Sequence, residues 1–267
     1  MNAEHADATD DALVVYATVF GVDTPELDDL AESFHEASKL HPGLAERETQ
    51  GMARLISSDA LIAATQRSVR RNRQRREVPL PSCAVAPGLR ARRSAHEFNG
   101  QPLALSTLAA LLEAGYGVTA PGRRTVPSAG ALYPLELYPA IVRVDGVEPG
   151  VFHFDPPRHV LEVVRAGEIG ETLEATSPLA GFLEGVSAVV FVTAVFWRSR
   201  FKYGPRGYRF ALLEAGHVAQ NMLLAATELG IAALPLGGYY DARAEALLGV
   251  DGVDEAVLYA IALGGGR

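Results

Sequence analysis

Residues 201–221 read FKYGPRGYRFALLEAGHVAQN, and the rest of the chain is organised around them. The stretch opens on Lys202 and Tyr203, two groups that can exchange a proton once their pKa values are perturbed. Gly204-Pro205 and Gly207 follow as turn signals, and an apolar run then predicts a helix from Arg209 to Leu229, closed by Gly230. Neighbours on a helix diverge by about 100°, and on a strand they face opposite ways. Lys202 and Tyr203 therefore meet at one site only from an irregular backbone; otherwise they form an exposed loop with a solvated lysine. Ala211, Ala215 and Ala219 stand four apart, a smooth stripe that lets another helix approach closely. Glu214, His217 and Asn221 form a polar line on the same helix, which places it at an interface or under a ligand. Alone, His217 reads as a satisfied core histidine.

Composition narrows the classes. The 267 residues are 48% hydrophobic with a net charge of −8, enough for a full-sized core and opposed to general nucleic-acid binding. No apolar run is long enough to span a bilayer. The N-terminus MNAEHADATDDAL lacks the basic-then-apolar layout of a secretory signal. One cysteine, Cys83, excludes an intrachain disulfide and a cysteine-based zinc site. These features predict a cytoplasmic protein with no membrane contact and no metal.

The chain divides after residue 88. In the first part, Thr24-Pro25-Glu26 starts a helix that runs through LDDLAESFHEASKL and stops before His41-Pro42-Gly43. Its Phe34, Ala37 and Leu40 share a face, while His35, Glu36, Ser38 and Lys39 read as a solvated face with a Glu36–Lys39 pair. Ser58 to Arg76 predicts a helix ending in a basic run, and Val78 to Gly88, with three prolines, a linker. In the second part, Arg92-Arg93-Ser94 offers two guanidinium forks and a hydroxyl suited to a phosphate. Ser106 caps a helix over Thr107 to Ala114, with Leu108, Leu111 and Leu112 inward. Pro127-Ser128-Ala129-Gly130 is either an ordinary turn or a loop whose bare backbone lies against a flat ligand. Strands are predicted at Leu135 to Val144, with Pro139 marking an edge or bulge, and at Val186 to Phe196, the most apolar and central one. A hairpin surrounds Pro156-Pro157. Leu236-Gly237-Gly238 ends a short strand with two N–H groups free for a ligand's ring atoms, and AVLYAIALGG closes the chain before Arg267.

The ordered set Arg92-Arg93-Ser94, PSAG, EAGHVAQNMLLAATELGI and PLGG resembles the nitroreductase-fold flavoproteins, and FHEASKL, ALYPLELY and FKYGPRGYRF resemble their SagB-type azoline dehydrogenases. The resemblance implies an α+β, nitroreductase-like fold over residues 89–267: a central mixed, mostly antiparallel sheet flanked by helices, with residues 1–88 as a helical N-terminal extension and linker. It implies a homodimer through the long helix, with FMN at the interface. Arg92, Arg93 and Ser94 would take the FMN phosphate, with Arg267 completing that site. Pro127, Ser128, Ala129 and Gly130 would line the flavin, and Leu236, Gly237 and Gly238 would address its N5. His96 departs from the family, which commonly carries Arg or Lys there. The implied reaction aromatises a thiazoline or oxazoline in a ribosomal or carrier-bound peptide, beside a cyclodehydratase or a carrier protein. Lys202 and Tyr203 would remove the Cα proton, Arg206 lowering the pKa of a desolvated Lys202, with Glu214 and His217 near the substrate. Two other readings stand beside it: an NAD(P)H-fed nitro- or ene-reductase, and a flavin-less peptide- or partner-binding relative.

Overall fold

The computed structural model describes residues 30–43, 57–66, 78–82 and 84–265. The helix start at Thr24, the arginine run after Gln66, Cys83 and Arg267 lie outside the described residues. The helices are α1 (Leu30–Ser38), α2 (Asp59–Gln66), α3 (Pro87–Ala91), α4 (Leu105–Tyr116), α5 (Gly170–Glu174), α6 (Trp197–Tyr203), α7 (Arg206–Glu228) and α8 (Asp241–Leu248). The strands are β1 (Val118–Ala120), β2 (Arg123–Arg124), β3 (Leu135–Ile141), β4 (Gly150–Asp155), β5 (Val160–Ala166), β6 (Ala188–Val195), β7 (Ile231–Leu236) and β8 (Glu255–Gly265).

Six strands form one sheet in the order β5-β4-β3-β6-β8-β7, antiparallel at every pairing. The run of β-branched and aromatic residues in β6 is buried on both faces, because helices cover both. On one side α4 and α7 pack with Leu108, Leu111, Leu112, Val218 and Met222 against Leu135, Val190 and Ile261. On the other, Ile169, Leu173, Leu247 and Leu248 cover Phe191, Ala260 and Ala262. The start of β3, the ends of β6 and β7 and the start of β8 lie at one end of the sheet, as the register shows.

Three expectations are corrected, and the alanine stripe finds its close neighbour within the chain. Ser106 lies inside α4, whose N-cap is Ala104 with no side-chain cap. Pro139 is in an interior strand; β4 pairs with β3 only at Ala140 and Ile141, so the missing N–H falls outside that short ladder. The alanine stripe faces the chain's own core: Ala211, Ala215 and Ala219 are buried, and α7 lies close against α4. The most exposed leucines of α7 are Leu212 and Leu213, at 39% and 62%. Finally, α1 is inverted. Phe34 is 61% exposed, while His35 and Lys39, one helical turn apart, are buried at 7% and 8%. The Glu36–Lys39 pair forms at 2.8 Å, but Lys39 also reaches Glu245 at 3.3 Å and the Gly252 carbonyl at 2.7 Å.

At the far side of the sheet His153 of β4 sits between Glu136 of β3 (2.8 Å) and Glu162 of β5 (3.1 Å). Glu136 also pairs with Arg198 of α6. The bond to Glu136 raises the His153 pKa above its ordinary value of 6.5, against the opposing effect of burial. Because the folded value is the higher one, this stabilisation is full below about pH 6.5 and fades as pH rises through the raised value. The thermal stability lost in His153→Gln should therefore be larger in mildly acid buffer than in alkaline buffer; equal losses at both would contradict it.

No helix among the described residues is long and apolar enough to cross a membrane.

Candidate active site

Lys202 and Tyr203 do converge, but from the last turn of a helix. The seven-residue α6 leaves the end of β6 and stops at Gly204, whose φ of 55° and ψ of −145° no longer continue it. The Lys202 Nζ then lies 5.2 Å from the centre of the Tyr203 ring. Opposite stands Gly130, with φ of 64°. A Cβ there would lie 2.6 Å from Tyr203 Oη and 2.8 Å from Lys202 Nζ. The loop thus approaches both polar atoms with bare backbone, and both conformation and space require glycine. Gly207 has a similar part below: a Cβ there would lie 2.8 Å from the backbone of Ser199 and Arg200, so α6 rests directly on the start of α7. The Tyr203 ring meets Phe210 edge-on at 5.0 Å. Lys202 itself is exposed, as is Arg206, so the expected desolvation of Lys202 is not supplied by this chain's own packing.

The loop holding Gly130 is anchored from behind. Ala131 and Tyr133 have φ of 55° and 46°, a conformation that costs free energy and persists where the surroundings enforce it. The Tyr133 N–H donates to Ser128 Oγ at 2.9 Å. Tyr116 Oη donates to Glu214 Oε1 at 2.8 Å and accepts the Leu135 N–H at 3.2 Å. Arg124 lies over the Tyr116 ring at 4.1 Å. Burial pushes the Glu214 carboxyl up, opposed by hydrogen bonds from Ser128 and Tyr116. Burial and the nearby Glu214 push the Tyr116 hydroxyl up as well. The polar line on α7 therefore splits. Glu214, 2% exposed, ties α7 to Tyr116 of α4, and Asn221 donates to the carbonyls of Ala114 and Thr125. His217 faces solvent rather than the core. Glu214 is not placed to touch a substrate; through Tyr116 it supports the start of β3 at Leu135.

The second group of expected residues assembles along β7. The Ala95 N–H donates to the Ala233 carbonyl, and the Asn99 N–H to that of Gly265, which pairs with Ile231. The segment thus runs antiparallel to β7 and carries Arg92 and Ser94 toward its Leu236 end. Arg92 Nη1 lies 3.4 Å from Ser94 Oγ. Arg93 turns back to the carbonyls of Arg90 and Arg92, both at 2.8 Å, which ties up one of its nitrogens in holding the turn. His96 is exposed. Gly237 and Gly238 are exposed, with open space where a side chain would stand. Both groups lie at the same end of the sheet, with β6 and β8 between their strands.

Tyr116 and Arg124 were not singled out in the sequence. The available signal was Glu214: a carboxylate within an apolar helix face must find donors. His35 and Lys39 were read as solvated because Phe34 and Leu40 looked like the buried face.

Residues 89–265 match the nitroreductase family. A Methanocaldococcus jannaschii protein described as a nitroreductase, MJ1384, is 42% identical over 151 residues, 56% of this chain and 76% of that protein. The microcin B17-processing protein McbC of Escherichia coli is 30% identical over 158 residues, 56% of this chain and 57% of its own. The trifolitoxin-processing protein TfxB of Rhizobium leguminosarum is 36% identical over 117 residues, 41% of this chain and 31% of its own. The matches thus span little more than half of the former processing protein and under a third of the latter. Among solved structures, a chain of the E. coli microcin synthetase McbBCD complex superposes with a TM-score of 0.75 at 24% identity, covering 95% of this chain and 97% of that one. A protein of Anabaena variabilis described as a nitroreductase covers 67% of this chain and 37% of its own, with a TM-score of 0.59 at 30% identity. The family match over residues 89–265, borne on a sheet of this topology, makes the chain a member of the nitroreductase family.

Proposed function

We propose that the protein is an FMN-dependent dehydrogenase that oxidises thiazoline or oxazoline rings in a peptide to the corresponding azoles. The observation that carries this reading is the convergence of Lys202 Nζ and Tyr203 Oη on the bare backbone of Gly130. The likeness to the microcin B17- and trifolitoxin-processing proteins supports a peptide substrate.

The residues present fit the cofactor. Gly237 and Gly238 leave open space where side chains would stand, and Arg92 with Ser94 offers charged and neutral donors to a phosphate. FMN, when bound, supplies the acceptor for the hydride equivalent that leaves the ring. The chain's own part is to hold the ring and take the Cα proton. Lys202 in its neutral form accepts it directly, or Tyr203 passes it on to Lys202. Either route requires the two atoms to be held beside the same bare surface, as they are. Ser128, which accepts the Tyr133 N–H, fixes that surface.

The exposed Lys202 also gives a reason for a second subunit. A homodimer formed through the Leu212–Leu213 face of α7 would cover apolar surface close in sequence to the site and reduce its contact with water. Leu213→Glu should convert a dimer into a monomer on sizing and weaken FMN retention. A wild-type protein that is monomeric and fully yellow would contradict this. A cyclodehydratase or carrier protein would present the peptide.

The family match and MJ1384 favour a second reading, an NAD(P)H-dependent nitro- or ene-reductase of small molecules. The two separate on one comparison. A dehydrogenase removes two hydrogens from an azoline-bearing peptide in a Lys202-dependent way. A reductase oxidises NAD(P)H with a nitroaromatic whether or not Lys202 is present.

A further inference from the structure

Between Phe196 and Tyr208 the chain leaves the sheet, forms α6, turns at Gly204-Pro205 and re-enters the body as α7. The two feet of this excursion touch each other, with the Phe196 and Tyr208 rings 5.3 Å apart. His35 of α1 lies edge-on against both, at 5.4 Å and 5.9 Å, with its Nδ1 3.3 Å from Tyr208 Oη. Glu32 reaches the flank of α6 itself through Arg200 at 2.7 Å. At its other end α1 is fastened elsewhere. Lys39 joins Glu245 of α8 and the Gly252 carbonyl, and Asp241 accepts the Leu40 N–H at 2.7 Å.

Burying a histidine and a lysine is costly unless both are well partnered. Phe34 meets the Tyr208 ring edge-on at 6.3 Å from the exposed side, while the buried positions of α1 go to His35 and Lys39. A seven-residue helix such as α6 is too short to hold its own geometry. We propose that α1 is a clasp, and that His35 is its positioning residue: it holds the two feet of the α6 excursion together and so sets where Lys202 and Tyr203 stand against Gly130. The role in catalysis rests on the dehydrogenase reading; the positioning of Tyr203 does not.

The test uses the full-length, FMN-loaded protein with fluorotyrosine at position 203. His35→Ala should broaden or split the fluorine resonance and slow single-turnover flavin bleaching by an azoline peptide by about 10²-fold, the effect of misplacing a reacting group by an ångström. FMN affinity and reduction by dithionite should not change. His35→Phe, which keeps an aromatic ring between the feet, should recover most of the rate. On a background lacking both groups, Lys202→Ala with Tyr203→Phe, His35→Ala should cost nothing further, because it acts through those two residues. Lys39→Met, which loosens α1 from the other end, should reproduce the resonance change if His35→Ala does not fold. An unaltered resonance and rate in both variants overturns the clasp, as does a full additional loss on the background lacking both Lys202 and the Tyr203 hydroxyl. If the resonance changes while wild type leaves azoline peptides untouched, the clasp stands and the dehydrogenase reading falls.

Discussion

Lys202→Ala should lower azoline oxidation by about 10²–10⁴-fold, the usual worth of a positioned general base, and leave FMN bound. Lys202 sits at the end of α6, whereas the residues assigned to the phosphate lie along β7. Removing its side chain therefore disturbs neither those contacts nor the core. Tyr203→Phe keeps the ring that packs against Phe210 and removes only the hydroxyl beside Gly130. It should cost less than Lys202→Ala if tyrosine relays the proton, and about as much if tyrosine is the base. Reduction of the flavin by dithionite should be normal in both variants, since that step removes no substrate proton. Single-turnover bleaching with azoline peptide gives the rate. A Lys202→Ala enzyme that bleaches as fast as wild type would remove this residue from the mechanism. Glu214 could not replace it, being buried and bonded to Tyr116; the exposed His217 would be the next group to examine.

Arg92→Ala should weaken FMN binding by about one to two decades, the equivalent of a charge-assisted contact worth roughly 1.5–3 kcal/mol. Riboflavin has no phosphate and should bind wild type and variant almost equally. Arg93→Ala supplies an internal comparison. Its guanidinium already serves the Arg90 and Arg92 carbonyls, so its loss should act through the turn and be smaller. If riboflavin and FMN weaken together in Arg92→Ala, Arg92 is not at the phosphate.

The sheet was legible because its strands carry their own pattern. VSAVVFVTAVF is too apolar for anything but the centre, and β6 is buried on both faces. Gly230, at φ of 70°, follows the end of α7 where a glycine was expected. The site was legible only in part. The Lys202-Tyr203 pair and the PSAG turn stood out by residue type, but their meeting depends on long-range packing, with Gly207 letting α6 rest on α7. The alanine stripe of α7 announces a close helix neighbour without saying which, because small residues suit a helix inside the chain as well as one from a partner; here it is α4. The α1 error has a similar cause. Helical periodicity ranks Phe34 above His35 as a buried residue, yet His35 finds two aromatic rings and Lys39 an acid and a carbonyl. Those partners lie more than 150 residues away, beyond the reach of any local pattern.

The most direct test of the central claim is anaerobic mixing of the FMN-loaded protein with a peptide bearing a single azoline, following flavin absorbance and peptide mass together. The account predicts that the flavin bleaches without any added NAD(P)H, and that the peptide loses two hydrogens in proportion to the flavin reduced. A flavin that stays oxidised with the peptide mass unchanged, yet bleaches at once on addition of NAD(P)H, would contradict it.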